Sequence, residues 1–285
     1  MENKEIMTQQ EQSPGMPNMS NGVMAHLDNI NQGTIAIEAS RAIAEAQGKL
    51  VIAKRFPRDE VQAYAKAIEA CQRPTMAEKA FYSFPRGGQT VEGPTIRFAE
   101  ELARCWGNID YGIKELSQDN GKSEMQAYAW DLETNAQSVQ NFTNPHQREQ
   151  GKKMVTLTSQ RDIYENNANM ATRRLRSRIL AILPSWFVED CIDECKKTVA
   201  GNNELPLVDR VKKMVVQFAK FGVTQEQIEK RLKKKVDTMT SDDFVEYVGI
   251  YNAIKNKESK ISEWFEAETV ASDLTNALKG DVNNG

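Results

Sequence analysis

The stretch Ile109–Thr143, IDYGIKELSQDNGKSEMQAYAWDLETNAQSVQNFT, decides the fold class. Ile109 to Leu116 and Glu124 to Leu132 read as two strands around the turn Asp119-Asn120-Gly121. Asn-Gly is the pair that accepts positive φ at both central positions of a tight hairpin. The turn-like Glu133-Thr134-Asn135 then leads to a third strand, Gln137 to Thr143. The spacing therefore predicts a three-strand antiparallel meander.

Upstream, Phe81–Phe84, the turn Pro85-Arg86-Gly87-Gly88 and Gln89–Val91 predict a further hairpin. A helix follows Pro94, with Ile96, Ala99, Leu102 and Ala103 inward, Arg97, Glu100 and Glu101 outward, and Gly107 as its stop. Earlier still, Ala36, Ala39, Ile43 and Ala46 mark one helix. Asp59 caps another with Val61, Tyr64, Ala65 and Ile68 on its apolar side, and Thr75-x-x-Glu78 predicts a capping box on a short helix ending near Phe81.

Downstream, residues 144–162 read as a loop. A long helix, Ile163–Leu183, carries Tyr164, Ala168, Ala171, Leu175, Ile179 and Ile182 on one stripe, and a second spans Trp186–Val199. Capping signals at Thr224-x-x-Gln227 and Thr240-x-x-Asp243, and Gly222 as a stop, punctuate a run of short helices. The expected fold is α+β: a small antiparallel sheet (hairpin plus meander) packed with helices, followed by a small all-α module. The expected divisions are a disordered polar arm (1–33), an α+β core for DNA binding and oligomerisation (34–200), a linker (201–207), a helical partner-binding module (208–262) and a flexible tail (263–285).

Composition narrows the function. The chain has 285 residues with a formal net charge of −3, which argues against a general polyanion coat but leaves local patches open. No apolar run nears the roughly 18–20 residues that span a bilayer, so an integral membrane protein is not expected. The N-terminal residues have no apolar core of a secretory signal. Four cysteines are too few for a disulfide scaffold and fit a reducing cytoplasm. No GxxxxGK[ST] or strand-linked GxGxxG is present, so a phosphate-cradling nucleotide loop has no support. Cys191 and Cys195 share a helix face but lack a second ligand pair for zinc. His146, in the turn-like NPHQ, reads as an ordinary solvated histidine, and no compact carboxylate cluster marks a nuclease. Trp106, Tyr111, Tyr128 and Trp130 read as core.

Charge is uneven. Between 148 and 178, eight bases (Arg148, Lys152, Lys153, Arg161, Arg173, Arg174, Arg176, Arg178) face three acids (Glu149, Asp162, Glu165). If Leu175 points inward, Arg174 and Arg178 share a flank, because residues four apart are neighbours on a helix. Arginine suits bidentate phosphate contact, so these residues are the candidate DNA contacts. A solvated or ion-paired face is the alternative. Arg86, with Tyr82 and Phe84 as base-stacking candidates, is a further contact point, against the alternative that these aromatics are core. The run Lys230, Arg231, Lys233, Lys234, Lys235 either complements a helix end or offers a second electrostatic contact.

Several segments carry a resemblance: GPTIRFAEELAR (93–104), WGNIDYG (106–112), AYAWDLETN (127–135), DIYE (162–165), RRLRSRIL (173–180), FGVTQEQIEKRL (221–232) and IYNAIK (250–255). Together they resemble the single-strand annealing recombination proteins of phages and prophages, broadly the RecT and Redβ kind. The resemblance implies a protein that binds single-stranded DNA and anneals complementary strands without ATP, as a ring or filament of like subunits. It implies a bacterial host cytoplasm and a C-terminal module that meets a phage exonuclease or the host single-strand binding protein. No cofactor is required, and Mg²⁺ is compatible. Two other readings stay open: a metal-dependent nuclease or other DNA-processing enzyme of the same pathway, and an adaptor whose arginine helix binds its own acidic arm.

Overall fold

The computed structural model describes residues 32–86, 89–150, 153–201 and 205–266. The arm up to residue 31, Lys152, residues 202–204 of the linker and the tail from 267 lie outside the described residues. The chain divides into two units, residues 1–52 and 53–285. The described part of the first belongs to helix α1 (Gln32–Arg55). Its expected inward positions Ala36, Ala39 and Ile43 are exposed, as are Ile35, Ile37 and Val51.

The second unit is α+β. Asp59 caps α2 (Glu60–Cys71) by accepting from the amides of Val61 and Gln62. The face α2 buries is Ala63, Ala67 and Ala70, while Val61 is exposed. Small residues let α2 lie close to its neighbours, so the larger apolar side chains expected there sit at the margin. The short α3 (Pro74–Ala77) starts from Arg73 with no side-chain cap, so the Thr75 capping box does not form. Pro74 at the first helical position needs no amide partner.

Strands β1 (Phe81–Arg86) and β2 (Gln89–Pro94) form the expected hairpin. Thr95 caps α4 (Ile96–Trp106), which buries Phe98, Ala99, Leu102 and Ala103. The meander follows as β3 (Ile109–Asp119), β4 (Lys122–Asp131) and β5 (Gln137–Pro145), in the order β3-β4-β5. Asn120 and Gly121, at φ 45° and 77°, make the turn that their identities predict. The expected loop 144–162 instead holds a third hairpin, β6 (Gln147–Gln150) with β7 (Lys153–Thr156). Its strands are exposed throughout, so no apolar alternation marks them in the sequence.

Helix α5 (Gln160–Ile182) lies on one face of the meander, and α6 (Ser185–Gly201) returns over α2 and α3. Helices α7 (Leu207–Ala219), α8 (Gln225–Leu232) and α9 (Ser241–Lys255) complete the unit, and the capping boxes at Thr224 and Thr240 both form. The C-terminal helices do not stand apart as a separate module. They share one apolar core with α2, α4, α5 and α6, in which Phe98, Phe187, Phe218, Tyr247 and Ile250 are buried. Helix α9 packs on β1, where Asn252 Nδ2 donates to the carbonyls of Glu78 and Phe81 at 2.7 and 2.8 Å. Gly249 permits this approach, since a Cβ there would run into Ser83 Oγ and come 3.2 Å from Ser83 Cβ. Trp264 and Phe265, expected in a flexible tail, are buried in the same core.

Candidate nucleic-acid interface

Helix α5 is held on the meander by a buried polar network. Asn167 Nδ2 donates to Ser123 Oγ at 2.9 Å, and Asn144 Nδ2 donates to Asn167 Oδ1 at 2.7 Å. Ser123 Oγ lies 2.9 Å from His146 Nε2. His146 is therefore a buried structural group rather than a solvated one. Ser123 is fully buried, so this serine–histidine pair is closed to a substrate. Buried polar groups must be hydrogen-bonded, and here they meet one another's needs and fix α5 in register with the sheet.

The four arginines expected to form a row on α5 divide by environment. Arg176 Nη1 lies 3.1 Å from Glu258 Oε1, and its guanidinium sits 4.7 Å from the Tyr82 ring centre. Arg173 reaches the same carboxylate at 3.5 Å, and its Nη2 donates to the Lys257 carbonyl at 2.6 Å. Both charges are thus engaged by the segment after α9, and for these two the ion-paired alternative holds. Arg174 lies over Phe142 of β5 at 4.1 Å and donates to the Met170 carbonyl at 2.8 Å. Arg178 is half-buried, and its buried Nε has no hydrogen-bond partner among the described residues.

Tyr82 does not offer a free stacking surface. Its ring is buried under Arg176, beside Phe84 at 5.9 Å. Burial pushes its hydroxyl pKa up, against the pull of the Arg176 charge. Phe84 is half-buried, and Arg86 is exposed at the end of β1.

The hairpin β6–β7 places its charges differently. Arg148 pairs with Val155, and Gln150 with Lys153. Side chains directly opposite in a pair, and those two apart on a strand, share a face. Arg148 and Lys153 therefore project from one side. Glu149, the hairpin's one acid, projects from the other, where it meets Lys260 at 3.3 Å. Asn166 of α5 holds the hairpin's base by donating to the Pro145 and Gln147 carbonyls, both at 3.4 Å. Arg161 follows, exposed in the first turn of α5. Among the described residues, Arg86, Arg148, Lys153 and Arg161 make no ion pair.

Tyr128 and Trp130 depart from the core reading. Along β4 the side chains of Ser123, Met125, Ala127 and Ala129 are buried toward α5, and Gln126, Tyr128 and Trp130 lie half-buried on the opposite face. Tyr128 packs over Gly112, with Lys114 Nζ 4.9 Å from its ring centre. Trp130 Nε1 donates to Asn135 Oδ1 at 2.9 Å.

The basic run at the end of α8 is largely tied down. Arg231 meets Glu246 at 2.8 Å, Lys234 meets Asp243 at 2.6 Å, Lys235 meets Glu229 at 2.7 Å, and Lys230 pairs with Glu266. Cys71, Cys105, Cys191 and Cys195 are free and buried. Hydrogen bonding to Cys71 and burial push the Cys191 and Cys195 thiols up. Among the described residues, no group of three His, Cys, Asp or Glu is placed to hold a metal ion.

Sequence reading missed three groups that organise this surface. Glu258 and Phe142 engage the arginines of α5, and neither follows a local pattern. Arg58 closes the edge of the meander: its Nε donates to Glu133 Oε1 at 2.9 Å, and its Nη2 to Asp131. Burial works to raise both carboxylates, but the Arg58 hydrogen bonds outweigh it at Asp131, and those from Asn108 and Arg58 do so at Glu133, so both pKa values lie below the usual range.

No family model, no curated protein and no solved structure matches the chain. Among the described residues no helix is long and apolar enough to cross a membrane.

Proposed function

We propose that the chain binds single-stranded DNA and anneals complementary strands without ATP, as an oligomer, in phage-type recombination in the bacterial cytoplasm. The observation that carries this reading is the face of hairpin β6–β7. Arg148 and Lys153 project together without an ion pair among the described residues, their neighbouring acid is turned away to Lys260, and Arg161 follows at the start of α5. Unneutralised cations on an exposed hairpin suit a phosphate backbone, where released counterions drive binding. Arg174, braced over Phe142, and the half-buried Arg178 continue the basic residues along α5. The exposed Ile35, Ile37, Ile43 and Val51 of α1 favour assembly with further copies.

In this mechanism the hairpin and α5 grip the phosphates of one strand and leave its bases open. Neighbouring copies extend the grip, and the paired product is held more tightly than the single strand. No covalent step is needed, and Mg²⁺ is an accompanying ion rather than a reagent.

The test is annealing of two complementary oligonucleotides, followed by fluorescence quenching, without ATP and with EDTA present. The reading expects rapid annealing by the full chain. Absence of both annealing and single-strand binding at low and moderate salt would overturn it. Mg²⁺-dependent loss of DNA ends would favour the nuclease reading.

A further inference from the structure

A cleft of about 690 Å³ opens in the second unit among α3, α7 and α9. It is remote in sequence from both hairpin β6–β7 and α5, and it uses none of their residues. Lys79, Arg210, Lys213 and Lys255 line it with a single acid, Glu78. Lys79, Lys213 and Lys255 are exposed and make no ion pair among the described residues.

Arg210 is the unusual member. It is only 7% exposed, yet no carboxylate lies within ion-pair reach among the described residues. Its Nη2 donates to the Val199 carbonyl, its guanidinium stacks 4.3 Å from the Phe244 ring centre, and its Nε has no partner. A buried guanidinium stays charged, and burial without a close counter-charge is unfavourable; Glu78 acts on Arg210 only from beyond ion-pair distance, and burial outweighs it. An anion entering the cleft would supply that counter-charge. Arginine's planar fork matches phosphate oxygens two at a time, and the surrounding lysines add further charge.

Beside the polar Gln72, Thr75, Gln217 and Asn252, the cleft has an apolar wall, and Lys255 Nζ lies 5.7 Å from the Tyr251 ring centre. Met214, Phe244, Val248 and Tyr251 contribute to the wall, and Tyr251 is backed by Phe218 and Phe221 at 5.7 and 5.5 Å. A cleft of this size accommodates a small ligand. Cations beside an aromatic wall match a phosphate joined to a planar base.

We infer that this cleft binds a nucleoside monophosphate group, with its phosphate at Arg210 and Lys213 and its base against Tyr251. The group comes either from free nucleotide or from the 5′-phosphorylated end of a strand. The inference goes beyond the annealing reading and stands on separate residues, so either can fail alone.

The experiment is calorimetric titration of the full chain with dAMP, deoxyadenosine, inorganic phosphate and an acidic peptide. The expected result is saturable dAMP binding, with deoxyadenosine weaker by about tenfold or more because it lacks the charge-assisted contacts. Because Arg210 is buried, the charge test uses the exposed pair Lys79→Glu/Lys213→Glu. This variant should keep the wild-type Tm and lose dAMP affinity by about tenfold or more. Equal binding of dAMP and deoxyadenosine, wild-type dAMP affinity in the variant, or binding of the acidic peptide without dAMP binding would each overturn the inference. With dAMP bound, competition by a 5′-phosphorylated oligonucleotide, and none by its unphosphorylated twin, assigns the site to strand ends. Absence of competition by both assigns it to free nucleotide.

Discussion

Two basic regions sit a few turns of chain apart, and the structure treats them in opposite ways. On α5, Arg173 and Arg176 converge on Glu258, a residue 82 positions away from Arg176. On hairpin β6–β7, Arg148 and Lys153 share a face while Glu149 is turned to the opposite one. The sequence is denser in arginine on α5, with four in six residues, yet on the sparser hairpin Arg148 and Lys153 make no ion pair among the described residues. Charge density along a chain therefore does not measure charge available to a ligand. A carboxylate brought in from a distant segment decides that.

The comparison can be sharpened by substitutions that separate internal charges from unpaired ones. The largest effect on stability is expected at the most enclosed internal pair. Arg58→Leu leaves the buried Asp131 and the half-buried Glu133 without their cation. Losing one partner of such a group costs about 3–5 kcal/mol. Urea denaturation should show the midpoint falling accordingly, and an unchanged midpoint would contradict the role given to Arg58.

A second effect follows in acid. Because Asp131 and Glu133 have depressed pKa values in the folded state, the unfolded chain takes up protons first as pH falls. Their stabilisation is complete above the ordinary carboxylate range of about 4 and is lost as pH falls through the folded values. A Tm profile from pH 7 to pH 2 should decline below about pH 4. That decline should be shallower in Arg58→Leu, where the carboxylates have no cation to lose.

Arg176→Ala should come next, at about 1–2 kcal/mol, from a charged hydrogen bond to Glu258 and the contact with Tyr82. The measurement is again the denaturation midpoint. DNA affinity should change little, since the charge removed is already neutralised. If single-strand binding fell as far in Arg176→Ala as in a hairpin variant, the distinction between the two regions would collapse.

The smallest effect on stability belongs to Arg148→Ala/Lys153→Ala. Both side chains are exposed, so stability should stay within about 0.5 kcal/mol. Binding should respond instead. Each phosphate contact removed should lower the slope of log affinity against log salt by about one. Fluorescence anisotropy with a labelled oligonucleotide across a salt series measures this, and an unchanged slope would remove the hairpin from the interface.

The meander was legible because three local signals agree: strand-forming segments, an Asn-Gly turn and a second polar turn at Glu133-Thr134-Asn135. The β1–β2 hairpin and helix α4 were legible for similar reasons. Hairpin β6–β7 was not, because QREQGKKMVT carries no apolar alternation when both faces are exposed. The inward face of α2 was misread because close helix packing favours Ala63, Ala67 and Ala70 over the larger Val61. The union of α9 with β1 was hidden for another reason. It rests on Gly249 against Ser83 and on Asn252 reaching the Glu78 and Phe81 carbonyls, contacts that no local pattern announces. At the candidate interface, the residue types were visible but their partners were not. Glu258 and Phe142 redistribute the α5 arginines, and only the fold brings them there.

The most direct test of the central claim is the rate of ATP-independent annealing in three proteins side by side: wild type, Arg148→Ala/Lys153→Ala and Arg176→Ala, all confirmed folded at the assay temperature. The account expects fast annealing by wild type, near-wild-type annealing by Arg176→Ala, and strongly slowed, more weakly salt-dependent annealing by the hairpin variant. Annealing that survives the hairpin substitutions but fails in Arg176→Ala would contradict it.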